Sequence, residues 1–206
     1  MNEEKTTETI RWLTTKRLES LSDGIFAIAM TILVLNLRVP LMTDTEAVTK
    51  LPGILRGLWP NFFAYTLSFL LLAAFWIMHH KQFHSIKKVD EPLLWLNIIS
   101  MLFVVMIPFS TSLYGEYETS RTAALFFEGN LGLAGAAFFL TYWYATKDHR
   151  LVDDDLDPRR VSLARKRTAL MPVVSVLAIG ISFISPQYST LAYLLIPVIL
   201  VGFLKD

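Results

Sequence analysis

Cysteine is absent from the 206 residues. That excludes disulfides, thiolate metal sites and a cysteine nucleophile. Net charge is nearly absent too, since 19 Lys and Arg face 18 Asp and Glu for a net +1. No strong field for nucleic acid follows, and no basic stripe with interleaved aromatics runs along the chain. A His-Glu-x-x-His zinc signature is missing, and Ser22-Asp23 has no positioned His nearby in sequence, so an enzyme is not expected. His80 and His84 stand at i,i+4, but the nearest carboxylates beyond them are Asp90 and Glu91, and a metal site is not the favoured reading. Met1 to Thr15 is polar and mixed in charge, unlike a secretory signal. The first apolar stretch is therefore expected to act as an uncleaved insertion signal.

Charged residues make up only 18% of the chain, against about 25% in an average soluble domain. They sit in short blocks between long apolar runs, which is the pattern of an all-α integral membrane protein. A bilayer span takes about 20 mostly apolar residues. Six stretches qualify: Leu18 to Leu37, Leu58 to Met78, Leu93 to Tyr114, Ala123 to Tyr144, Thr168 to Ile184 and Leu191 to Leu204. The last two are short, and the tight Ser185-Pro186-Gln187 turn joins them as one long buried hairpin. Pro108, Pro172 and Pro197 fall inside spans, where each frees a carbonyl and permits a kink. Asp44 to Gly57 reads as a short surface helix or loop, and Asp153 to Pro158 as a solvated turn. No internal repeat stands out. The whole chain, 1–206, reads as one six-helix domain with a polar N-terminal segment, 1–15.

The charge distribution orients these spans. Fifteen of the nineteen Lys and Arg fall on the side shared by the two termini, among them Lys5, Arg11, Lys81, Arg159, Arg160 and Lys205. The other side holds Arg38, Lys50, Arg56 and Arg121. Positive residues favour the cytoplasm, so both termini are expected there. Trp12, Trp59, Trp95, Tyr114, Tyr142, Trp143 and Tyr144 lie near span ends, as in an aromatic belt.

The first span opens with Arg17-Leu18-Glu19-Ser20-Leu21-Ser22-Asp23-Gly24. Asp23 lies about a turn and a half inside, where an acid is costly unless paired or wet. It either caps the helix end or belongs to a polar network that orients the helix. Arg17 and Asp23 are six apart and do not stack on one face. This stretch resembles the TMEM175 family of potassium channels, in bacteria also described as a domain of unknown function. The family pattern is Arg, three variable residues, then Phe-Ser-Asp-Gly. Leu21 stands where Phe is usual, which keeps bulk and loses an aromatic contact. Phe26-Ala27-Ile28-Ala29 and Thr31 also look like the family. Trp76-Ile77-Met78-His79-His80-Lys81-Gln82-Phe83 is similar to the family's Trp-x-x-His-His-x-x-Phe. Two motifs, six spans and chain length agree with the single-repeat bacterial type.

The resemblance implies a homotetramer of six-helix subunits whose first helices line a central pore in the lipid bilayer. It implies a polar network of Arg17, Ser22, Asp23, Trp76 and either His79 or His80, and a constriction of large apolar side chains instead of a carbonyl filter. It implies potassium as the permeant ion, with no cofactor. Helical spacing after Asp23 gives a stripe of Ile28, Thr31 or Ile32, and Leu35, near Gly24. By resemblance this stripe is the pore face, with Ile28 nearest the cytoplasm. The Thr31 hydroxyl either contacts a partly dehydrated ion or bonds the carbonyl at i−4. Apolar rings close a pore by dewetting. Asn36 is then expected near the outer mouth, with Asp44 and Glu46 in the loop beyond it.

Thr111-Ser112-Leu113-Tyr114-Gly115 loosely matches a carbonyl filter but lacks the central Gly, and reads as a helix end stopped by Gly115. No span carries Arg or Lys at every third position, so a leak-like channel is expected, in a plasma membrane. The competing readings are a secondary cation transporter and a non-conducting scaffold. Almost no midplane charge is expected in the spans, which counts against coupled transport.

Overall fold

A computed structural model describes residues 14–202. Lys5, Arg11, Trp12 and Lys205 lie outside the described residues. The described residues are mostly helical, with an isolated Ile86–Val152 bridge as the strand-like pairing among them. α1 (Thr15–Ile32) passes into a 3₁₀ turn, Leu33–Asn36. α2 (Asp44–Gly57) is amphipathic and exposed, opened by a reciprocal capping box between Thr43 and Glu46. The Lys50 ammonium, 2.7 Å from Glu46, holds that carboxyl below the usual carboxylate range.

Three of the long helices share a start signal. α3 (Trp59–Ser85), α4 (Glu91–Glu116) and α6 (Pro158–Ser182) each carry Pro in the first turn, where a missing N–H costs nothing. Asp90 caps α4 by accepting from the Leu93 amide at 3.0 Å, and its other oxygen accepts from the Tyr144 hydroxyl at 2.7 Å. Asp157 caps α6, accepting from the Arg159 amide at 2.8 Å. α5 (Arg121–Thr146) lies between α4 and α6, and α1 packs on α3 and α4.

Four helices among the described residues are long and apolar enough to cross a membrane: α1 with its 3₁₀ turn, α3, α4 and α5 with its 3₁₀ extension to His149. The chain is a multi-pass membrane protein. Element ends differ from the sequence reading in three places. α3 runs to Ser85, well beyond Met78, because its charged end continues helical outside the apolar run. α6 begins at Pro158, ten residues before the expected span, so Pro158 opens a helix and does not end a turn. The expected sixth span is broken. A short α7 (Pro186–Ser189) and a 3₁₀ stretch, Thr190–Leu194, precede α8 (Leu195–Gly202). Pro197 cannot bond back to Tyr193, so the chain tightens before it and restarts with Pro197 in the first turn of α8.

Small residues set the closest helix approach. A Cβ on Gly135 would meet Pro172 Cδ at 2.8 Å and Met171 Cβ at 2.9 Å, and one on Gly132 would meet Ser175 Cβ at 3.0 Å. Pro172 is therefore accommodated inside α6 by a notch on α5. Polar pairs join other neighbouring helices: Thr111 of α4 donates to Ser68 of α3 at 2.7 Å, and Asn130 of α5 to Ser110 of α4 at 3.3 Å. Tyr114 and Tyr142 are buried, and Tyr114 bonds Thr190 at 3.1 Å. These two tyrosines are core residues, unlike the exposed Trp59, Trp95 and Trp143.

Gly135→Ala should overpack the α5–α6 contact and cost about 1–3 kcal/mol. Gly180 has nothing within 4 Å of its added Cβ, so Gly180→Ala should be tolerated. Thermal unfolding in detergent, followed by size-exclusion fluorescence, compares the two, and equal midpoints would remove the notch.

Candidate pore-lining helix and its polar anchor

Successive residues of an α-helix turn by about 100°. Taking Ser22 as zero, Leu18, Phe26, Ala29 and Leu33 fall within about 40° of it, and all are buried. Gly24, Ile28, Thr31 and Leu35 fall about 180–240° away, and all are exposed. Ile28 is 61% exposed and Leu35 64%. Ile32 lies at the edge of this face and is exposed at 42%. One face of α1 thus packs inside the bundle, while the other presents an apolar stripe that none of the other described residues covers.

The buried face is fixed by hydrogen bonds. Asn97, on α4, is fully buried. Its amide donates to Ser22 Oγ at 3.3 Å, and its carbonyl oxygen lies 3.0 Å from His79 Nε2. In this orientation His79 donates from Nε2, so the three side chains form one chain across α1, α4 and α3. The His79 ring stacks on Phe83 with centroids 4.3 Å apart and touches Phe26 and Phe138. Unpaired, the buried amide would carry a desolvation cost of about 1–3 kcal/mol.

Asp23 is not part of that chain. It sits on the exposed side and accepts from the Trp76 indole at 2.8 Å. Of the residues expected in one network, Ser22 and His79 are joined in the buried interior through Asn97, and Asp23 pairs with Trp76 at the periphery. His80 is exposed, with its ring 6.4 Å from that of Trp76. Arg17 is exposed near the start of α1. Leu21, standing where the resemblance expects Phe, is 51% exposed, so it has little core contact to lose within the chain.

The Thr31 hydroxyl bonds its own helix, to the carbonyls of Ala27 at 3.0 Å and Ile28 at 2.9 Å. Its proton is thus committed to the backbone, while the oxygen remains on the exposed face. Asn36 donates to the Pro108 carbonyl at 2.9 Å, which ties the 3₁₀ turn after α1 to α4.

Two buried polar residues lay unnoticed in the sequence. Asn97 stands alone in the apolar run Trp95-Leu96-Asn97-Ile98-Ile99, and that isolation was the available signal. Glu128, in α5, is fully buried, an acid within a span besides Asp23. Ser182 donates to one of its oxygens, and the other has no partner among the described residues. No group of three or more metal-binding side chains occurs among the described residues.

A double-mutant cycle of Ser22→Ala and Asn97→Leu tests the triplet. The pair should couple by about 0.5–1.5 kcal/mol in thermal stability, the range of hydrogen bonds between membrane helices. Additive effects would show that the bond contributes nothing.

Comparison with known proteins agrees with this geometry. Residues 17–108 match the family described as Endosomal/lysosomal potassium channel TMEM175, and this stretch holds both motifs and Asn97. A potassium channel of Streptomyces collinus is 31% identical over 181 residues, 86% of each chain. A potassium channel of Chamaesiphon minutus is 34% identical over 175 residues, 83% of this chain and 85% of that one. The crystal structure of a lysosomal potassium-selective channel TMEM175 homolog from Chamaesiphon minutus aligns with a TM-score of 0.79 and 27% identity, covering 93% of this chain and 98% of that one. With both motifs inside the matched stretch and the likeness running along most of the chain, the chain belongs to the TMEM175 family.

Proposed function

We propose that this chain is one subunit of a potassium-selective, leak-like channel of the plasma membrane. Four copies surround a central pore lined by α1. Each subunit contributes six spans as a single channel domain, the fifth from the apolar part of α6 and the sixth from the broken segment ending in α8. Both termini are cytoplasmic, on the side carrying most of the Lys and Arg. Potassium is the permeant ion, and no cofactor takes part.

The observation that carries this reading is the exposed stripe Gly24–Ile28–Thr31–Leu35, which lies opposite the buried anchor of the same helix. Family membership supports it. Copies brought together through this stripe would place rings of Ile28 and Leu35 around an axis, with Thr31 oxygens between them. Apolar rings exclude water when narrow and conduct when widened enough to wet. The Asp23–Trp76 and Ser22–Asn97–His79 contacts hold the orientation of the helix while the ring opens. The absence of a regular Arg ladder supports weak voltage dependence.

A second reading, a secondary cation transporter, has one observation in its favour: the buried Glu128 carboxyl, without a cationic partner among the described residues. Its position in α5, away from the α1 stripe, makes it a structural group under the channel reading.

Reversal potential in a planar bilayer under a potassium/sodium gradient tests the proposal. Discrete currents should reverse near the potassium equilibrium potential. Ile28→Ala should move the reversal toward zero while leaving assembly intact, and Glu128→Gln should leave the current unchanged. Unaltered selectivity in Ile28→Ala would remove Ile28 from the pore. Gradient-coupled flux without discrete currents, abolished by Glu128→Gln, would favour the transporter.

A further inference from the structure

A cavity of about 1100 Å³ opens between α3 and α6, backed by Tyr142 of α5. It runs along α3 from Ala74 to Ser85, about 17 Å of helix. Its two ends differ in chemistry. One end is lined by Ala74, Phe75, Leu170, Met171 and Ile196. The other holds Lys81, Lys87, Arg159, Arg160 and Arg167, with Asp153 and Asp155 as the carboxylates and His84 beside them. Five cations against two carboxylates leave an excess of positive charge at that end.

The gradient runs the same way on both walls. On α3 the apolar residues precede Lys81, and on α6 the arginines precede Leu170 and Met171. The charged end is thus at the side of the molecule rich in Lys and Arg, and the apolar end reaches into the spans. A small anion would use only the charged end. A second copy of the chain in the same bilayer would present its own Lys- and Arg-rich side at this level, which does not complement the charge. An amphiphile with an anionic head and apolar tails matches both ends at once.

We propose that this cavity binds an anionic phospholipid, its phosphate held by Lys81, Lys87, Arg159 and Arg160 and its acyl chains lying against Phe75, Leu170, Met171 and Ile196. Long basic side chains suit this position, because their stems lie along apolar surface while the heads reach the phosphate. Basic clusters at the cytoplasmic ends of spans attract anionic headgroups in the same way. The site is separate from α1 and does not depend on conduction.

Native mass spectrometry of the full-length purified protein, titrated with phosphatidylglycerol, phosphatidylcholine or inorganic phosphate, tests it. Phosphatidylglycerol should be retained and phosphatidylcholine not, and phosphate should neither bind comparably nor displace the lipid. Arg159→Gln/Arg160→Gln changes two exposed residues and should weaken retention by roughly tenfold or more. Ala74→Phe keeps every charge, fills the apolar end, and should also lower retention. Equal retention of the two lipids, displacement by phosphate, or wild-type retention by the folded double-arginine variant would overturn the site. Wild-type retention by folded Ala74→Phe would remove the acyl-chain part of it.

Discussion

A buried amide must be paired at both ends, and in this chain that requirement fixes the rotation of the first helix. Asn97 reaches His79 with its oxygen and Ser22 with its nitrogen. Ser22 can meet it only when α1 is turned with that residue inward. The helical repeat then leaves no choice about the opposite face, which must carry Gly24, Ile28, Thr31 and Leu35. Phe26, packed against the His79 and Phe138 rings, adds bulk to the same lock. A polar contact of modest energy thus decides which apolar residues stay uncovered.

The surrounding bundle supports this arrangement by close packing and scattered hydrogen bonds. Glycines on α5 let α6 approach closely, and Pro172 fits the notch they leave. Ser100 with Thr141, Gln82 with Thr168 and Tyr193 with Ser175 join helix pairs across the interior. On the basic side, the loop after α3 is tied to the loop after α5 by the Lys87 amide, which donates to the Leu151 carbonyl at 2.8 Å. Asp148 and His149 turn that second loop with positive φ, a conformation more accessible to Asp and His than to most residues.

Much of this was legible from apolar run length, because a bilayer demands about 20 apolar residues and leaves a plain mark in sequence. The first four spans follow from it, although α3 continues past Met78 to Ser85. The start of α6 was less visible, since Asp157-Pro158 reads equally as a turn and as a cap followed by a first-turn proline. The broken last segment turned on Pro197, whose effect depends on where the helix before it stops. The stripe on α1 followed from the motif and the helical period. The anchor did not follow fully: the motif pointed to Ser22 and to His79 or His80, but not to Asn97, because partners brought together by helix crossing carry no spacing rule. Glu128 went unseen for the same reason, being a single acid in a long apolar run.

The absence of cysteine makes the central claim directly measurable, because any introduced thiol is the only one in the chain. Single cysteines placed along α1, from Gly24→Cys to Leu35→Cys, would be exposed to a charged thiol reagent while current is recorded. The account predicts block at Ile28, Thr31 and Leu35, and no block at Phe26, Ala29 and Leu33. Block of the second set with sparing of the first, or block with no helical period, would contradict it.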